Sequence, residues 1–139
     1  MGSAEAAVVQ RFLDGFNEGD LEKALACLHP EVVVKESGEP LPYAGTYIGP
    51  DGLSELVEIL QRQGLHESFN SYDVLDAGDV VVSRIDIRLT HTSGRLADSR
   101  VVEIYTVKDG VIVDVDVFYK DPAPIAELAA LTMNTDQSH

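Results

Sequence analysis

Four strand-like segments in succession constrain this chain most. From His66 to Lys120, stretches near 67–76, 79–91, 96–107 and 111–120 alternate apolar and polar residues. Ala77-Gly78-Asp79, Ser93-Gly94 and Asp109-Gly110 supply turns between them. Strands joined so tightly pair antiparallel, since a parallel crossover needs a dozen residues or more. The first half reads as helices. Residues 4–18 carry Val8, Val9, Phe12, Leu13 and Phe16 at helical spacing, and Asp20 can cap a short second helix with the stripe Leu21, Ala24, Leu25 and Leu28. His29-Pro30 ends it, and Val32, Val33 and Val34 read as a strand before a Gly/Pro-rich loop, Ser37 to Pro42. A third helix begins at Gly49-Pro50-Asp51, with the stripe Leu53, Leu56, Val57 and Leu60. Helices followed by strands predict an α+β domain: a curved antiparallel sheet wrapped around three helices as a cone-shaped barrel, with a short helix at the C-terminus. Such a cone encloses a cavity where a small ligand would sit.

Length and charge narrow the partners. At 139 residues the chain reads as a single domain, 1–139, and with 45% hydrophobic residues and no repeat it reads as soluble and globular. Ten Lys+Arg against 24 Asp+Glu give a formal charge of −14, which argues against nucleic acid and anionic membrane, both of which bind basic patches. No apolar run approaches the ~20 residues that a spanning helix needs, and no signal peptide is evident. The one cysteine, Cys27, lies on an apolar helical stripe and fits a reducing cytoplasm. The four histidines, at 29, 66, 91 and 139, are not spaced as metal ligands on a shared face.

Charged residues sit inside the strand pattern. In Val80 to Leu89, Ile85, Ile87 and Leu89 line one face while Arg84, Asp86 and Arg88 line the other. A two-residue turn at Ser93-Gly94 places Arg84 opposite Glu103 and Asp86 opposite Val101. A three-residue loop at Lys108-Asp109-Gly110 places Glu103 opposite Val115 and Tyr105 opposite Val113. Those registers predict a cavity wall holding Arg84, Asp86, Arg88, Glu103, Tyr105, Val113, Val115, Val117 and Tyr119. A one-residue change in either turn flips the set.

Ala7-Val8-Val9-Gln10-Arg11-Phe12, Asn17-Glu18-Gly19-Asp20-Leu21 and Ala24-Leu25 resemble the opening of ketosteroid isomerase and of the SnoaL-like polyketide cyclases. Tyr43-Ala44-Gly45-Thr46-Tyr47-Ile48-Gly49 and the ending from Lys108-Asp109-Gly110 to Phe118-Tyr119-Lys120-Asp121-Pro122 resemble them too. The likeness spans nearly the whole chain. It implies the nuclear-transport-factor-like cone fold and a homodimer formed through sheet faces. It also implies a site: Glu36 falls on the family's carboxylate base, Phe12 on its oxyanion-binding tyrosine, and Glu103 on or near its protonated aspartic acid. Val82-Ser83-Arg84-Ile85-Asp86 resembles the Arg-x-Asp segment of limonene-epoxide hydrolase, whose arginine bridges a basic and an acidic aspartate. The second aspartate falls near Val117, leaving Glu103, Glu36 or Asp121 to substitute. SnoaL-like cyclases place a catalytic aspartate late in the last strand, where Asp121 stands, although an aspartate before Pro122 is also an ordinary helix N-cap.

These readings point to a small-molecule acid–base enzyme, an isomerase or cyclase acting on a carbonyl-activated, polyketide- or terpenoid-like substrate. Its expected catalytic residues are Glu36, Arg84, Asp86, Glu103 and Asp121. The expected pocket residues are Phe12, Phe16, Tyr43, Tyr47, Leu56, Leu60, Tyr105, Val115, Val117 and Tyr119. No cofactor or metal is expected, because proton shuttling needs only carboxylates and a dry pocket. Epoxide opening, or a non-catalytic dimeric module for a hydrophobic ligand, are the alternatives.

Overall fold

Ser3 starts the first helix, its hydroxyl accepting from the Ala6 N–H at 2.9 Å, and α1 runs Ala4–Glu18 until Gly19 turns left-handed at φ 74°. A computed structural model describes residues 3–39 and 41–137. Asp20 caps α2 (Leu21–Leu25) through the Lys23 N–H at 3.1 Å, as the sequence predicts. The chain continues through β1 (Leu28–Glu36), β2 (Gly45–Ile48) and α3 (Gly49–Arg62), which has proline in its first turn. Then come β3 (Leu65–Asp76), β4 (Val81–His91), β5 (Leu96–Lys108), β6 (Val111–Tyr119) and α4 (Ala123–Gln137).

The strands form one sheet in the order β2-β1-β6-β5-β4-β3, with β2 and β3 as free edges. Four of the five pairings are antiparallel, but β1 runs parallel to β6. The helical half of the chain returns β1 beside the last strand, which makes this pair parallel and the sheet mixed. The concave face carries the core: Val34, Ile85, Ile87, Val101, Val115 and Val117 pack toward Val9, Phe12 and Leu13 of α1 and Leu53 and Leu56 of α3. Burying such a strip is the main stabilising term.

One turn differs from expectation and changes a face. The β4–β5 hairpin closes through Thr92-Ser93-Gly94: His91 N–H donates to the Arg95 carbonyl at 2.8 Å, and Gly94 adopts φ 93°. The extra residue arises because the His91 ring nitrogen accepts from the Ser93 N–H at 3.0 Å, bending the chain one residue early. Arg84 therefore pairs with Val102 and Asp86 with Arg100, not with Glu103 and Val101. Ile85 and Ile87 face the cavity, and Arg84, Asp86 and Arg88 lie on the convex, solvent side. The β5–β6 turn is also not the expected loop. Asp109 (φ 52°) and Gly110 (φ 79°) form a two-residue turn, and a bulge follows between Thr106 and Val107. Glu103 pairs with Val117 and Tyr105 with Val115. That register is shifted by two residues from the expected one, so the face is unchanged.

Candidate active site

A cavity of about 330 Å³ opens between α1, α3 and the concave sheet. Its wall is mostly Phe, Leu, Ile and Val, and three carboxyl groups project from that wall: Glu36, Glu67 and Glu103. No lysine or arginine is among the lining residues.

Register fixes two of the three. Glu36 at the end of β1 lies beside Val117, and Val117 lies opposite Glu103. With strands about 4.8 Å apart, the two glutamates rise from one row, two strand spacings from each other. Glu67 comes from β3, opposite Leu89 and two residues from Phe69. A bulge between Phe69 and Ser71 then switches the parity of β3. Glu67 and Phe69 thus face the cavity while Ser71 and Asp73 face outward.

Phenols hold two of the acids. The Tyr119 hydroxyl donates to Glu36 Oε1 at 3.3 Å and is itself 3.2 Å from the Tyr43 hydroxyl. With Tyr119 donating to the carboxylate, Tyr43 donates to Tyr119, so a chain of hydroxyls points at Glu36. The Tyr105 hydroxyl donates to Glu103 Oε1 and lies 2.9 Å from the Ser83 hydroxyl, with Ser83 and Tyr105 both fully buried. Ser83 lies opposite Glu103 on β4, which is why its hydroxyl reaches Tyr105. Among the described residues, Glu67 has no hydrogen-bond partner of this kind.

The environment raises all three acids. Burial first, then the nearby Glu103 and Glu67, push Glu36 well above its ordinary value, and the Tyr119 hydroxyl only partly opposes this. Burial and Glu103 push Glu67 up to about 7. Burial raises Glu103 against the hydroxyl of Tyr105. A cavity with several acids and no lysine or arginine favours the protonated forms of those acids, which can both give and take protons.

The remaining expected residues divide. Phe12, Phe16, Tyr43, Leu56, Leu60, Val115, Val117 and Tyr119 line the cavity with Glu36 and Glu103. Tyr105 lies behind the wall as the support of Glu103. Tyr47 is not in the lining, and its hydroxyl donates to the Tyr43 carbonyl at 2.7 Å, bracing the segment that carries Tyr43. Arg84 and Asp86 are corrected to the convex face. Arg84 pairs with Asp73, Asp86 with Arg100 at 2.9 Å, and Arg88 with Asp98 at 2.8 Å. Asp121 is exposed and accepts from the Ala123 N–H at 3.1 Å, as a cap of α4. The structure does not bring these three charged residues to the cavity. Glu67 escaped the sequence reading, although Leu65-x-Glu67-x-Phe69 sets a carboxyl inside an apolar stripe and was a usable signal.

Among the described residues, no three potential ligands converge closely enough to hold a metal ion, and no helix is long and apolar enough to cross a membrane. Comparison with known proteins follows the same outline. The sequence profile of the SnoaL-like domain matches residues 9–115. No curated protein matches the sequence. Among solved structures, TerC co-crystallised with polyporic acid superposes with a TM-score of 0.81 at 22% identity, covering 92% of this chain and 99% of that one. An NTF2-like protein of Burkholderia thailandensis gives a TM-score of 0.79 at 24% identity, over 92% of this chain and 98% of that one. A candidate polyketide cyclase of Pseudomonas putida gives 0.75 at 17% identity, over 91% and 98%. At these identities the likeness establishes the fold alone.

Proposed function

The chain belongs to the SnoaL-like domain family, and from that premise we propose that it is a cofactor-independent acid–base enzyme acting on a small, hydrophobic, carbonyl-activated molecule. The observation that carries the reading is the set of three glutamates in an apolar cavity lined by no lysine or arginine. Keeping carboxyls there costs solvation, and a module that only held an apolar ligand would gain nothing from them. Among the structural neighbours, a candidate polyketide cyclase and a protein co-crystallised with polyporic acid support a small organic molecule as the ligand.

In this reading Glu36, fed by the Tyr43–Tyr119 hydroxyl chain, is the base. Its carboxylate takes a proton from a carbon beside the carbonyl, and the electron pair moves onto the carbonyl oxygen. In its protonated form Glu103, held by Tyr105, donates a hydrogen bond to that developing oxyanion. Glu36 then returns the proton to another carbon, which isomerises the substrate. Alternatively the enolate carbon bonds to a second carbonyl carbon and the new alkoxide takes the proton, which closes a ring. Phe12 cannot donate the hydrogen bond that a tyrosine would at its position, so Glu103 carries the oxyanion alone. Epoxide opening by Arg84 and Asp86 is not proposed, because both are engaged on the solvent side.

A simple probe is the conversion of cyclohex-3-en-1-one to its conjugated isomer, followed by ultraviolet absorbance. The protein should accelerate it saturably, and Glu36→Gln should reduce kcat by about 10²–10⁴-fold, the range of general acid–base catalysis. Wild-type protein no better than free carboxylate buffer, or a Glu36→Gln variant as active as wild type, would defeat the assignment.

The convex face fits a second copy of the chain. Val102 and Phe118 lie opposite each other on it, 38% and 47% exposed, between the ion-paired rows of β3–β5 and the Lys35–Asp114 and Lys35–Asp116 pairs. An apolar centre rimmed by charges of both signs is self-complementary about a two-fold axis. The single buried Cys27 suits a reducing cytoplasm.

A further inference from the structure

Resting on the cavity as the substrate site, we propose that it selects its ligand by charge, admitting neutral and cationic organic molecules and rejecting carboxylates, and that Glu67 sets this selection. Acidic substrates need a cationic anchor, and none of the residues lining this cavity is lysine or arginine. Apart from Gln61 and His66, the side-chain donors of the lining are the phenols of Tyr119, directed at Glu36, and Tyr43, directed at Tyr119. Tyr105, behind the wall, is directed at Glu103. Glu36 and Glu103 are therefore engaged by the protein itself. Glu67 has no such partner among the described residues and comes from the edge strand β3, in the same stripe as Phe69 and next to the exposed His66.

The consequence is directional. An anion inside the cavity faces Glu67 and must displace its charge or force it to hold a proton. A neutral carbonyl compound instead accepts a hydrogen bond from the protonated carboxyl, and an ammonium group pairs with the ionised one. The chain as a whole adds to this bias, with 24 acidic against 10 basic residues. A like charge within about 6–10 Å at an effective dielectric constant of about 20 weakens binding by roughly ten- to a hundredfold.

The test uses three probes of one shape: 3-phenylpropan-1-ol, 3-phenylpropylammonium and 3-phenylpropanoate. Each is titrated at pH 8 into isotope-labelled full-length protein, and the amide shifts of Val34, Val101 and Val117 are followed. The alcohol and the ammonium should bind at least tenfold more tightly than the carboxylate. Glu67→Gln should close most of that gap by improving the carboxylate, and Glu67→Asp should keep it. A carboxylate that binds wild-type protein as tightly as the alcohol overturns the proposal. A gap that persists unchanged in Glu67→Gln overturns the role given to Glu67. Since no turnover is read, loss of isomerase activity with the selectivity intact would sink the catalytic reading and leave this one standing.

Discussion

At the residue scale, the cavity acids tie stability to pH in a direction opposite to the surface acids. Glu67 on β3 faces Glu103 of β5 and Glu36 of β1 across the cavity, with Tyr119 of β6, Tyr43 and the exposed His66 completing its surroundings. Folding raises it from 4.5 to about 7, so between those values the folded chain binds more protons than the unfolded one. Stability therefore falls as pH rises through this window, by up to about 3 kcal/mol for this group at 1.36 kcal/mol per unit. The convex carboxylates act the other way. Asp73 is lowered by Arg84, Asp86 by Ser71 and then Arg100, and Asp98 by Arg88. Their contribution is present above 3.8 and fades as pH falls below it. Thermal denaturation should give a maximum Tm near pH 4–5, and Glu67→Gln should flatten the decline toward pH 7. A Tm that climbs from pH 4.5 to 7 in wild type would contradict the placement of these acids.

At the element scale, two close fits decide the architecture. A Cβ on Gly15 of α1 would stand 2.7 Å from the Ala24 backbone nitrogen of α2, a contact that rigid backbone cannot relieve. Gly15→Ala should cost about 1–3 kcal/mol by pushing the helices apart, read as a lower urea midpoint with unchanged slope. The β4–β5 hairpin is the second. Deleting Ser93 would shorten its loop by one residue and turn Arg84, Asp86 and Arg88 toward the core, so the variant should lose cooperative unfolding. The same turn marks where the sequence stopped being legible. Alternation located every strand from β3 to β6, and proline and aspartate located the starts of α2 and α3. Alternation also separates Ile85, Ile87 and Leu89 from Arg84, Asp86 and Arg88. Which β5 residue Arg84 meets depends on one side-chain-to-backbone hydrogen bond at His91, and periodicity does not record that. Likewise β2, only four residues long, left no pattern, and the Asn70 bulge hid the direction of Glu67.

At the scale of the whole molecule, the sheet has two faces: a concave one that carries the acidic cavity, and a convex one that we propose docks a second copy. Sedimentation should give a particle near twice the 15.1 kDa chain, and Phe118→Lys should return it to one chain with the fold retained. The cone fold was legible from element order, and Glu36 was named through the family resemblance. Glu103, Val115 and Val117 keep their face because a two-residue shift in the β5–β6 register does not change it. The parallel β1–β6 pair was not, since it depends on where the helical half returns the chain. The central claim is that the cavity holds its three glutamates above the ordinary carboxylate range. The most direct measurement is a carbon-13 NMR titration of the glutamate side-chain carboxyls, assigned with Glu36→Gln, Glu67→Gln and Glu103→Gln. The account predicts that the signals lost in these variants titrate above the ordinary range, with that of Glu67 near 7. Three cavity carboxyls all titrating near 4.5, like exposed glutamates, would contradict it.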